Sequence, residues 1–144
     1  MLQRTPRIRR VPRFMLMVYA GESDPGPTLE RVQAMNAFNE ELNRAGALLA
    51  LDGLLRRATR VRFKPGEQPT VTDGPFTEAK ELIGGYWIIQ ARSKEEAVEW
   101  ALRAPIGDGT IEVRRIGEAE DYSAEVAEAR ELSSLPPDQT VADE

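Results

Sequence analysis

The 144-residue chain contains no cysteine and no histidine. The first absence rules out disulfides, thiolate nucleophiles and thiolate metal sites. The second removes the Ser-His-Asp and Cys-His arrangements, imidazole-ligated metals and any imidazole acid or base. Proton transfer, if the chain performs any, rests on Asp, Glu, Lys, Tyr or a bound cofactor. Aromatic residues are sparse at 6%. Lysine is scarce against arginine, three to sixteen, a bias that reads as codon usage rather than phosphate-binding design. No run approaches the roughly 20 apolar residues of a membrane-spanning helix, and residues 1–13 hold no apolar stretch of secretory-signal length. What is present, 41% hydrophobic and 30% charged residues, is the composition of one globular domain, at a length within the usual range of about 100–200 residues. The expectation is a cytoplasmic protein with no membrane segment, no metal and no cofactor.

The net charge of −5 is unevenly spread. Residues 1–13 carry five arginines (Arg4, Arg7, Arg9, Arg10, Arg13) and no acid. Residues 117–144 carry nine acids against one base, Arg130. The stretch 14–116 between them is close to neutral, with thirteen bases and fifteen acids. The expected organisation is a basic arm (1–13), one domain (14–116), and an accessory helix with an acidic tail (117–144). An arginine arm can serve nucleic acid. Here an acidic segment of the same chain competes for it, so nucleic acid is not the expected partner.

Phe14–Tyr19 is an apolar run bounded by Pro12 and by a Gly/Pro-rich loop, which marks a strand. Both of its alternating sets are apolar, Phe14, Leu16 and Val18 on one side and Met15, Met17 and Tyr19 on the other. Such a strand is covered on both faces. Thr28 then caps a helix whose stripe runs Leu29, Val32, Met35, Phe38, Leu42 and Ala45 and ends at Gly46. Ala47–Leu55 is apolar again, with Asp52-Gly53 as a bulge or turn. Val61–Lys64 and Thr70–Thr72 flank Pro65-Gly66 as a hairpin. A short helix is expected from Glu78 to about Ile83, closed by Gly84-Gly85, followed by a two-faced strand Tyr86–Gln90. Ser93 and Glu96 have the spacing of a capping box, opening a helix that stops before Pro105. Thr110–Ile116 is the last strand of the body, and Tyr122, Val126, Ala129 and Leu132 line one face of an accessory helix.

Without the hairpin the order is βαββαβ, so the expected fold is α+β: a ferredoxin-like sheet with an inserted β-hairpin and two helices on one face. The helices leave the other face of the two-faced strands open. No residues remain to build a second layer, so a second copy of the chain is the expected cover, giving a homodimer.

The segment Val71-Thr72-Asp73-Gly74-Pro75-Phe76-Thr77-Glu78-Ala79-Lys80-Glu81, followed by Gly84-Gly85-Tyr86, resembles the DGPF-domain branch of the YCII-related family. The resemblance runs from Phe14 to about Ile116. It implies a dimeric α+β barrel in which two ferredoxin-like sheets pack face to face. Some proteins of that branch lie near, or are fused to, extracytoplasmic-function sigma factors, which implies a regulatory setting. The His–Asp pair of the wider family has no counterpart in a chain without histidine; Asp73 matches only the Asp of the DGPF motif.

Two readings of that motif stand side by side. In one it serves folding: Gly74-Pro75 turns the chain, Phe76 anchors the turn, and Thr77 and Glu78 suit the start of a helix. In the other, Asp73, Glu78 and Lys80 set two carboxylates and an amine beside a cleft between sheet and helices, with Tyr19 and Tyr86 offering hydroxyls to a small-molecule ligand. No residue is assigned a catalytic role. The alternative to a ligand-binding protein is a non-catalytic interaction or regulatory module working through its dimer surface or charged ends.

Overall fold

A computed structural model describes residues 11–74, 76 and 82–134, with only the backbone from 131 onward. Its elements run β1 (Arg13–Ala20), α1 (Leu29–Arg44), β2 (Leu48–Gly53), β3 (Thr59–Arg62), β4 (Thr70–Asp73), β5 (Ile83–Gln90), α2 (Lys94–Arg103), β6 (Gly109–Arg115) and α3 (Ala124–Ser134). A 3-10 turn, Ala119–Asp121, precedes α3. The fold is α+β. Four strands form an antiparallel sheet in the order β2-β5-β1-β6, and β3 and β4 form a separate two-stranded ribbon.

Local chemistry sets the element ends. The Thr28 hydroxyl accepts the Arg31 N–H at 3.2 Å to open α1. Gly46 closes it at φ +70°, where only glycine sits without strain. The N–H groups of Gly46 and Ala47 return to the carbonyls of Asn43 and Leu42, satisfying the last turn in a Schellman arrangement. Ser93 Oγ accepts the Glu96 N–H at 3.2 Å at the head of α2. The Glu96 carboxylate is engaged by Arg92 Nε. In the ribbon, Pro65-Gly66 sits in a turn closed by Glu67 N–H to the Lys64 carbonyl, with Gly66 at φ +75°.

One apolar cluster fills the space between α1, α2 and one sheet face: Phe14 and Leu16 from β1, Trp87 and Ile89 from β5, Phe38 and Leu42 from α1, and Ala97 from α2. The Phe38 ring meets Trp87 edge-on at 5.3 Å and Trp100 at 6.3 Å. The opposite face carries Met15 and Met17, paired in register with Ile88 and Tyr86 of the central strand β5. The two-sided apolar character of β1 and β5 thus maps onto two different surroundings, α1 and α2 on one side and a face that neither of them covers on the other.

Three local expectations shift. The irregularity in β2 falls at Leu49, because Leu48 pairs with Ile89 and Ala50 with Ile88, while Asp52 and Gly53 continue the ladder opposite Tyr86 and Gly85. The two glycines expected to end a helix lie inside β5, and Ile83 is strand. Gly84 is the extra residue in the pairing with β1. At Gly85 a Cβ would stand 3.0 Å from the Asp52 carbonyl, so the close strand approach favours glycine. The other residues of the expected short helix lie almost wholly outside the described residues. Finally, β3 spans Thr59–Arg62 rather than 61–64, with Phe63 and Lys64 in the connection.

Candidate functional site

A cleft of about 670 Å³ opens between the first half of α1, the loop before it and the ends of β1, β2 and β5, a size typical of small-molecule sites. The loop that forms one wall is built by its own hydrogen bonds. Gly26, at φ +82°, donates its N–H to Asp24 Oδ1 at 2.9 Å. Ser23 is tied to the far loop through Asp108, whose carboxylate accepts the Ser23 hydroxyl at 2.6 Å and its N–H at 2.9 Å. Those two bonds, the hydroxyl first, hold the Asp108 carboxyl below its usual range.

From that fixed loop Asp24 meets Arg31 of α1, NH1 to Oδ1 at 2.7 Å, with only 18% of the arginine and 10% of the aspartate side chain exposed. One and two turns further along α1, Met35 and Asn39 also line the cleft. Trp87 donates Nε1–H to Asn39 Oδ1 at 2.8 Å across the floor. The walls between these polar groups are apolar, from Val18, Val32, Leu51 and Leu54. The rim leaves Val32 and Leu54 about half exposed. A concave, mainly apolar space with a few oriented polar groups can hold and orient a small organic molecule.

The residues singled out from sequence do not gather in one place. Tyr86 lines the cleft. Tyr19 donates its hydroxyl to Glu112 Oε2 at 3.2 Å, a neighbour on β6. Lost solvation, then the Glu112 charge and hydrogen bond, raise the Tyr19 phenol above its ordinary value. Asp73 sits on the ribbon and accepts the Thr59 hydroxyl at 2.7 Å. Beside it Gly74 N–H bonds the Ala58 carbonyl, and the Arg60 guanidinium stacks 3.7 Å over the Phe76 ring. Pro75, Glu78 and Lys80 lie outside the described residues.

Asp24, Arg31 and Asn39 are the site residues that sequence reasoning passed over. Two signals pointed to Asn39 alone: it lies between the apolar stripe positions Phe38 and Leu42, and Trp87, on a buried strand, needs a partner for its indole N–H. Among the described residues no His/Cys/Asp/Glu group is arranged to hold a metal ion, and no helix is long and apolar enough to cross a membrane.

No curated protein matches the chain. The family model for the YCII-related domain matches residues 13–120. That span takes in all six described strands, α1 and α2, and by it the chain belongs to the YCII-related family.

Proposed function

We propose that this chain is a homodimeric small-molecule-binding protein of the DGPF branch, with the ligand held in the cleft between α1 and the sheet. The observation that carries the reading is the cleft itself: about 670 Å³ of mainly apolar space, with the Asp24–Arg31 pair and Asn39 set into its wall. The strand order β2-β5-β1-β6 with α1 and α2 on one face supports a ferredoxin-like plan. The apolar Met15, Met17, Tyr86 and Ile88 opposite the helices support a face-to-face dimeric barrel. In this reading residues 14–116 form the functional body in the cytoplasm, and Tyr86 borders the cleft through its strand while its ring belongs to the face opposite α1 and α2. Asp73 serves the ribbon, whereas Tyr19 orders the sheet through Glu112.

Nile red, an uncharged solvatochromic dye, tests the cleft. Saturable binding of one dye per chain is expected, and Val32→Trp, which adds bulk at the half-exposed rim without entering the core, should abolish it. Non-saturable binding, or binding indifferent to Val32→Trp, overturns the reading.

One observation favours a second reading. The ribbon exposes Val61, Phe63 and Val71, at 50%, 74% and 67%, beside Arg57, Arg62 and Lys64. An isolated two-stranded ribbon is marginal in water, so these side chains suit an interaction module that docks a regulatory partner, including one linked to a sigma factor. Phe63→Ser would then weaken partner binding and leave Nile red binding intact.

A further inference from the structure

The walls of the cleft constrain the charge of what it holds. The two ionic groups set deepest, Asp24 and Arg31, already answer each other at 2.7 Å, and the Gly26 N–H reinforces the same Asp24 oxygen. Two further charged residues lie at the margin. Arg56 is exposed to solvent. Asp52 pairs with Tyr86, on the sheet face away from the helices. Among the described residues the lining therefore carries two acids and two bases. An anion entering the apolar space would give up hydration while Asp24 competes for Arg31, and a cation would meet the converse competition. Charge burial without a free counter-charge is costly. An uncharged ligand avoids that cost.

The remaining hydrogen-bonding capacity has a direction. Trp87 occupies Asn39 Oδ1, which turns the amide NH₂ of Asn39 away from the indole as a donor. Arg31 spends one terminal nitrogen on Asp24 and keeps further N–H donors. Two donors on α1, two turns apart and flanked by Met35 and Val32, suit an acceptor oxygen carried on an apolar body. We infer that the cleft takes an uncharged apolar molecule bearing a carbonyl oxygen, a ketone, ester or amide, rather than a carboxylate or an amine. This inference rests on the cleft being the ligand site.

Competition against Nile red on the full chain at neutral pH tests it with three probes of one chain length: 2-octanone, octanoate and octylamine. The ketone should displace the dye at a concentration at least tenfold below either ion. Asn39→Asp, which keeps an acceptor for Trp87 and removes the amide donor, should weaken the ketone at least fivefold while the protein stays folded by circular dichroism. Octanoate or octylamine matching the ketone overturns the ligand class and leaves the cleft reading standing. So does bound dye that none of the three displaces. Unchanged ketone affinity in folded Asn39→Asp overturns the carbonyl contact. If Nile red itself fails to bind saturably, the cleft reading falls and this inference with it.

Discussion

Thr59 and Asp73 face each other across the ribbon of β3 and β4, and the threonine hydroxyl donates to Asp73 Oδ1 at 2.7 Å. The aspartate of the Asp-Gly-Pro-Phe segment is thus a cross-strand partner, at the point where the ribbon ends and the chain turns toward β5. Asp73→Asn keeps an acceptor oxygen and should change stability by less than about 0.5 kcal/mol. Asp73→Ala should cost about 0.5–1 kcal/mol, the scale of a cross-strand polar pair. Urea unfolding of both variants reads this directly. A neutral or stabilised Asp73→Ala would return the residue to the list of binding candidates, since functional groups are often held at a cost to stability.

The Trp87–Asn39 bond joins the floor of the cleft to α1. Asn39→Ala strips the buried indole of its acceptor and should destabilise the fold by about 1–3 kcal/mol. Thermal unfolding measures the loss, and Trp87 fluorescence should change in the folded state. An unaltered melting temperature would mean that another group takes the indole proton.

The proposed dimer makes a separate demand on the sheet face opposite α1 and α2. Wild-type protein should scatter light as a species of twice the 16.1 kDa chain mass, and its unfolding midpoint should rise with protein concentration. Met15→Glu, at a position only partly buried in the single chain, places a charge on that face and should yield a folded monomer. A wild-type monomer at micromolar concentration would remove the dimer from the proposal.

Arg115 grips Asp121 with both terminal nitrogens, and the Glu118 N–H also donates to that carboxylate. The arginine first, then the backbone N–H, bring Asp121 from 3.8 down to about 2. A carboxyl depressed by folding stabilises above its unfolded value and loses that contribution as pH falls through its folded one. The effect should therefore fade between about pH 4 and pH 2. Across that window the melting temperature of wild type should fall further than that of Asp121→Asn. Parallel curves would show that the pair contributes nothing to folding in solution.

Tyr19 titrates in the other direction. Its raised phenol binds its proton more tightly in the folded chain, so the associated stability is present below the ordinary tyrosine value of 10.0 and is lost as pH rises through the folded one. Glu112→Gln removes a negative charge and should lower the Tyr19 midpoint, seen as earlier tyrosinate absorbance in an alkaline titration. An unchanged titration would mean that solvent exclusion alone sets it.

The parts of the fold visible in the sequence are those written in period and punctuation. Phe14–Tyr19 declares a strand by its length and flanks, α1 by its stripe between Thr28 and Gly46, and the ribbon by Pro65-Gly66. The glycines of β5 are harder to place, because Gly84-Gly85 also ends helices; the approach of the Asp52 carbonyl shows why a strand favours glycine at Gly85. The site was least legible. Tyr86 could be named from its strand, but Asp24 meets Arg31 only after a turn in the intervening loop, and Asn39 meets Trp87 across 48 residues. Contacts made by a loop conformation or by strand-to-helix packing leave no spacing pattern to read.

The irregularity at Leu49 also bears on how the sheet meets its neighbours in crowded solution. β2 and β6 are the outer strands of the four-stranded sheet, where free backbone groups invite a foreign strand. On β2 the extra residue breaks the even ladder that an incoming strand would need to follow. On β6, Glu112, Arg114 and Arg115 line the border with charges of both signs, which an apolar segment would have to strip of water. The chain can thus carry apolar surface on both sides of its central strands while its rims discourage fibre growth. Reverting the bulge by deleting Leu49 should show its protective role as faster thioflavin-positive aggregation.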